Sequence, residues 1–205
     1  MRSSRRSALA AWARSIAHTT DGARVIVREA MPKAGTNLRV LRLEGTPGAP
    51  RQTEPLVPTT VSDDNGEISP DGHWLAYQSN PSGLFEISVR PFPNVDSGHW
   101  QVSTGGGTRP VWARSGKELF YLDGANAVTA VPIYTAPTFS AGTPTKLIDG
   151  RYVVGAPGRT YDVSADGQRF LMIKDSTSGS PTSTPASMVV VLNWTEELKT
   201  RVSPR

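Results

Sequence analysis

Four times along its 205 residues the chain repeats one short pattern: a turn ending in glycine, two mostly polar residues, then three apolar residues in a row. The turns are Thr19-Thr20-Asp21-Gly22, Ser69-Pro70-Asp71-Gly72, Ala113-Arg114-Ser115-Gly116 and Ser164-Ala165-Asp166-Gly167, and their glycines stand 50, 44 and 51 residues apart. The triplets are Val25-Ile26-Val27, Leu75-Ala76-Tyr77, Leu119-Phe120-Tyr121 and Phe170-Leu171-Met172. All twelve positions are apolar, where a chain that is 37% hydrophobic would supply about four or five by chance. The turn chemistry explains the spacing. Pro70 presets φ for the first corner of a type I turn, Asp71 can bond its own backbone, and Gly72 accepts a positive φ. Ala165 and Arg114 stand at the Pro corner without violating that geometry, while Ser115 in place of Asp makes the third turn the loosest of the four.

A turn of this kind joins antiparallel strands, and the segment after each triplet is of the right kind. Leu38-Arg39-Val40-Leu41-Arg42-Leu43, Phe85-Glu86-Ile87-Ser88-Val89, Ala127-Val128-Thr129-Ala130-Val131 and Met188-Val189-Val190-Val191-Leu192 are read as segments of alternating character, and period-two alternation means strands. The triplets themselves are apolar on consecutive residues, which suits a strand covered on both faces. No segment carries a 3.6-residue stripe; Ala8 to Ala17 and Trp194 to Lys199 could each make a turn or two of helix. A repeat of roughly 45 residues built from about four short antiparallel strands is the signature of a propeller blade. The expected fold is therefore all-β, a partial β-propeller of about four antiparallel blades. The blades are drawn at 15–60, 64–104, 108–149 and 158–193, after a basic, disordered arm at 1–14 and before a tail at 194–205. His99 to Ser103 supplies an outer strand of the second blade, Thr104 to Gly107 hands the chain on, and Asp175 to Pro185 reads as a flexible loop.

Charge and composition narrow the functional classes. The formal charge is +4, but Arg2, Arg5, Arg6 and Arg14 fall in a stretch without acidic residues, and the remaining chain carries 18 basic and 18 acidic residues. A neutral body argues against a specific nucleic-acid binder, and the basic start reads as a solvated terminus. Cysteine is absent, so thiolate chemistry and disulfides are excluded. No apolar stretch approaches the ~18 residues of a membrane span, and Ala8 to Ala13 is a poor signal peptide.

The stretch Ile68-Ser69-Pro70-Asp71-Gly72-His73-Trp74-Leu75-Ala76-Tyr77-Gln78-Ser79-Asn80, continuing through Phe85-Glu86-Ile87 and Val89 to Pro93, resembles the TolB-type, WD-like propeller repeat. It is most similar to the version found behind the kinase domain of bacterial serine/threonine protein kinases. Trp100 to Gly107, Pro110-Val111-Trp112, Glu118 to Leu122, Arg159 to Val163 and Val189 to Trp194 extend the likeness over roughly residues 20 to 200. Complete propellers of this family usually have more than four blades, so the resemblance implies an open arc. Open ends imply a longer parent chain or self-association through exposed blade faces. It also implies that the strand before each glycine turn is innermost and lines a central channel. The polar residues of those strands, Asn65, Glu67, Arg109, Arg159 and Asp162, are accordingly the candidate binding residues.

Catalytic signatures do not emerge against this background. Kinase chemistry needs a Gly-rich loop, a strand Lys, a catalytic-loop Asp and Asn and a magnesium Asp, and these sets are missing. Gly105-Gly106-Gly107 is followed by Pro110 and a strand where a phosphate loop needs a helix, so it reads as a blade-to-blade turn. A hydrolase elbow is absent. His18, His73 and His99 are too scattered for zinc. Asp63-Asp64-Asn65-Gly66-Glu67 fails as a calcium loop, with Ile68 and Trp74 at the positions needing Gly and Glu, and reads as an acidic surface turn. Asn193-Trp194-Thr195 matches a glycosylation acceptor, relevant in a secretory host. Trp74, Tyr77, Trp112, Phe120 and Tyr121 are assigned to the core.

The expectation is a noncatalytic propeller module, without catalytic residues, metal or cofactor, that engages a protein, a peptide or a small ligand. The alternative is the regulatory propeller of an enzyme, kinase or prolyl-oligopeptidase-like, whose catalytic domain is missing. The compartment stays open: soluble and cytoplasmic as written, periplasmic or extracytoplasmic as part of a longer membrane-anchored chain.

Overall fold

The computed structural model describes residues 14–19, 21–31, 35–44, 53–57, 59–150, 152 and 158–173. The chain divides into Met1–Lys174 and Asp175–Arg205, and every described residue belongs to the first unit. The expected strand at Met188–Leu192, the loop from Asp175 to Pro185, the helical turn at Trp194 to Lys199, and residues 1–13 of the arm lie outside the described residues.

The described residues form four antiparallel sheets that follow one another in chain order. The first contains β1 (Arg14–His18), β2 (Arg24–Met31), β3 (Gly35–Arg42) and β4 (Thr53–Pro55), hydrogen-bonded in that sequence. The second repeats the arrangement with β5 (Asp63–Ile68), β6 (Trp74–Ser79), β7 (Glu86–Pro91) and β8 (Trp100–Gln101). The third runs β9 (Gly107–Trp112), β10 (Glu118–Asp123) and β11 (Val128–Tyr134), with β12 (Ser140–Ala141) and β13 (Thr145–Ile148) both pairing β11. The fourth is the pair β14 (Tyr161–Val163) and β15 (Phe170–Met172). Successive up-and-down sheets stacked face to face in an arc make a partial β-propeller.

The apolar triplets explain the stacking, because adjacent residues of a strand point to opposite faces. In β6, Leu75 and Tyr77 join Ile26, Leu38, Val40, Leu56 and Val57 in a cluster between the first and second sheets. Ala76 points the other way, into a cluster shared with Leu119 and Tyr121 of the third sheet. Phe120 and Leu122 then face the fourth sheet, packing with Tyr161, Val163, Phe170 and Met172. Phe120 meets Phe170 edge to face at 5.1 Å. Each fully buried Leu, Tyr or Phe of this kind contributes about 1.5–3 kcal/mol relative to exposure. The final triplet departs from the rule: Leu171 is 76% exposed, because no described sheet covers the outer face of β15.

All four turns close as the glycine pattern requires. The amides of Gly22, Gly72, Gly116 and Gly167 donate to the carbonyl three residues back at 2.8 to 2.9 Å, and these glycines hold φ between +68° and +78°. In three turns the first residue's hydroxyl and the Asp carboxylate tie the loop to the following strand. Ser69 Oγ accepts from Trp74 N at 2.9 Å and Asp71 from His73 N at 3.1 Å; Thr19 with Asp21, and Ser164 with Asp166, do the same. Hydrogen bonds from Thr19 and the Ala23 amide hold the Asp21 carboxyl below its ordinary range. The third turn has Ala113 in place of the hydroxyl residue, and its Ser115 accepts from Lys117 N at 3.3 Å.

Two local expectations are corrected. Helix is not found in the described part of Ala8 to Ala17, which belongs to β1 and pairs β2 from Arg14↔Arg28 to His18↔Val25. The main-chain groups of β2 around buried Ile26 and Val27 need a partner, and that demand outweighs local helix propensity. Asp63 to Glu67 is not an acidic surface turn but most of β5. Asp63 is wholly buried and takes a hydrogen bond from Thr59; its burial raises the carboxyl above the usual carboxylate range, against the hydrogen bonds of Ser79 and Thr59. The strand tolerates this sequence because Asn65 adopts φ 50° at a bulge, a conformation Asn accepts more readily than most residues.

The triple glycine is the joint between the second and third sheets. The amides of Gly105 and Gly106 both donate to Glu86 at 2.9 Å, and Ser103 adds its hydroxyl. The anion cradle of consecutive amides is thus filled by the chain's own carboxylate. Gly106 sits at φ +111°, with the position of a Cβ only 2.7 Å from Gly124 Cα, so a side chain there would break the joint.

Candidate functional site

The repeat fixes the level at which inner-strand residues meet. Counting five residues back from each turn glycine gives Ala17, Glu67, Val111 and Asp162, one from each sheet. All four line one groove of ≈ 790 Å³, as do the residues next to them in the chain, His18, Ile68, Trp112 and Val163. The turns crown its mouth with Ser69, Pro70, Arg114, Ser164 and Ala165. The four inner strands, β1, β5, β9 and β14, therefore converge on a common space.

Glu67 and Asp162 are equivalent residues of the second and fourth sheets, and Arg159 bridges them. Its guanidinium donates to Glu67 in a close ion pair and meets Asp162 Oδ1 at 3.3 Å. Burial pushes the Glu67 carboxyl up to about 7, and neighbouring Arg159 opposes the shift without cancelling it. Trp112 closes the floor, its indole Nε1 donating to the Glu67 carbonyl at 3.3 Å.

Behind the groove a second network ties three sheets together. Gln78 Oε1 accepts from Asn65 Nδ2 at 2.8 Å and from Arg109 N at 3.0 Å. Arg109 Nε reaches Gly158 O at 2.7 Å, and the Tyr161 hydroxyl donates to Arg109 O at 2.9 Å. Burial raises the Tyr161 hydroxyl well above its ordinary value, so it serves as a donor throughout the physiological range. Asn65 and Arg109 occupy the same place in β5 and β9, seven residues before the turn glycine. Both have positive φ, 50° and 54°, at a bulge that turns the inner strand. On the other flank Arg28 of β2 approaches Asp64 at 2.8 Å, linking the first sheet to the second.

Of the five candidates, Glu67, Arg159 and Asp162 line the groove; Asn65 and Arg109 form the brace behind it. Sequence reasoning misses Gln78, which links Asn65 to Arg109, and Arg114, which it treats as a substitute for Pro in a turn. The available signal for Arg114 is a charge at the one turn corner that elsewhere carries Thr, Pro or Ala. Trp112, assigned to the core from sequence, is both buried and part of the groove wall. Among the described residues no group of three or more acidic or histidine side chains could hold a metal ion, and no helix is long and apolar enough to cross a membrane.

Solved structures similar to this chain include two TolB proteins. TolB from Acinetobacter baumannii matches at 16% identity and a TM-score of 0.48, over 77% of this chain and 42% of that one. The protein assigned as TolB from Agrobacterium tumefaciens matches at 14% identity and a TM-score of 0.48, over 68% of this chain and 52% of that one. A functionally unknown protein from Desulfotomaculum acetoxidans matches at 13% identity and a TM-score of 0.43, over 80% of this chain and 64% of that one. The chain thus spans about half the length of the TolB structures it matches. No family model and no curated protein matches the sequence.

Proposed function

We propose that this chain is a noncatalytic propeller module that holds a protein segment or peptide in the groove between its inner strands. One observation carries the reading: four strands from four sheets place equivalent residues around one space of ≈ 790 Å³, with a charged trio at its wall. A concave, partly apolar space with a few convergent polar groups is what a bound segment requires. Asn65 and Arg109 belong to the site as supports that fix the spacing of the walls.

Selection of phage-displayed random linear peptides on the full chain tests the idea. Peptides that occupy the groove lose about tenfold or more in affinity, ~1.4 kcal/mol, on Arg159→Ala or Asp162→Ala. They are indifferent to Arg42→Ala, on the outer part of the first sheet. Selected peptides that ignore both groove substitutions would refute the reading.

The repeat's likeness to propellers behind bacterial serine/threonine kinase domains supports a finer version, in which the groove senses a ligand for a regulated enzyme. An in-frame kinase domain encoded upstream of Met1 is the observation that this version expects; unrelated upstream sequence favours a free-standing interaction module.

A further inference from the structure

The repeat supplies an internal control for the groove mouth. The second residue of the turn, its first corner, is Pro70 in the second sheet, Arg114 in the third and Ala165 before the fourth sheet's second strand. All three are exposed and line the groove. The bonds that close the turn use the main chain and the first and third side chains, never this one. Folding therefore asks nothing of the corner that Pro or Ala does not provide, and the guanidinium of Arg114 is surplus to it.

The pairing of charged side chains in the groove singles that guanidinium out. Glu67, Arg159 and Asp162 form one ion-paired network, with Arg159 between the two carboxylates. Arg114 makes no hydrogen bond or ion pair with any described residue. The Arg114 guanidinium therefore stands without a direct ion-pair partner among the described residues, at a rim whose walls are partly formed by Trp112, Val111 and Val163. Beside such walls an attraction is stronger than in bulk water, and guanidinium matches a carboxylate with two parallel hydrogen bonds.

We propose that the segment held by the groove presents a carboxylate, and that Arg114 is the residue that binds it. The proposal rests on the groove reading above and names the chemistry of its occupant.

Fluorescence anisotropy on the full chain tests it with three rhodamine-labelled probes of equal length. These are an oligo-glutamate with an amidated end, a Ser/Gly peptide with a free terminal carboxylate, and an oligo-lysine amide. The expected result is that a carboxylate probe binds about tenfold more tightly than oligo-lysine and loses about tenfold on Arg114→Ala. Arg42→Ala leaves that affinity unchanged. The variant keeps its turn, since the fourth sheet already uses Ala165 there, and circular dichroism checks this. Preference for the amidated glutamate probe identifies side-chain carboxylates as the source, and preference for the free-ended neutral probe identifies a chain terminus. Equal weakening by Arg42→Ala and Arg114→Ala, or tighter binding of oligo-lysine, overturns the proposal. If both carboxylate probes fail while library peptides still depend on Arg159 and Asp162, the carboxylate assignment is wrong and the groove reading survives. If no library peptide depends on the groove, the groove reading falls first.

Discussion

Glu67 shows how one side chain can couple the groove to pH. Its folded carboxyl is raised from 4.5 to about 7 by burial, so the folded chain binds this proton more tightly than the unfolded chain does. The contribution to stability therefore grows as pH falls from about 7 to about 4.5 and levels off below. At about 1.4 kcal/mol per unit it amounts to at most about 3–4 kcal/mol, reduced by relaxation and the partial exposure of Arg159. Asp63 adds a change of the same sign, which makes the difference between variants the informative quantity. Glu67→Gln keeps an acceptor for Arg159 and cannot titrate. Urea unfolding at pH 5 and pH 8 is expected to show the wild type gaining more stability on acidification than Glu67→Gln. Parallel behaviour of the two proteins would show that Glu67 is ionised in both buffers.

Among the elements, the middle strands carry the molecule because each is clamped from two sides. Leu119 of β10 is fully buried between the second and third sheets, whereas Leu171 of β15 is 76% exposed. Leu119→Ala should destabilise by about 2–5 kcal/mol, and Leu171→Ala by less than about 0.5 kcal/mol; thermal melts of the two variants decide it. A large loss from Leu171→Ala would mean that its outer face is covered in solution. The same elements show what could be read beforehand. The triplets at 75–77 and 119–121 announce buried strands because both of their faces are apolar. The segment from Asp63 to Ile68 hides its identity: its strand character comes from pairing with β6 and from neighbours that bury its polar groups, and neither leaves a mark in Asp-Asn-Gly composition. β1 is obscured likewise, since alanines nearby favour helix until an unpaired edge recruits them. The groove residues Glu67 and Asp162 are legible as polar residues of inner strands. Arg114 is not, because a turn corner accepts nearly any residue and its role emerges only when the other turns are seen around the same mouth.

Across the whole molecule, three apolar interfaces hold four sheets, and among the described residues no such cluster joins the fourth sheet to the first. Stability should be graded accordingly, since local opening follows buried apolar contact. Native-state hydrogen exchange is expected to be slowest in β6 and β10 and fastest in the β14–β15 pair; uniform protection would contradict a modular stack. The turns that cap these sheets have a further consequence. Backbone closure fixes their last residue, polar side chains brace the first and third in most copies, and the second varies from Pro to Arg to Ala. Foldability and selectivity are thus spelled by different letters of the same four-letter word. Evolution or an engineer can rewrite positions 70, 114 and 165 to retune what the mouth admits, and the scaffold will not register the edit.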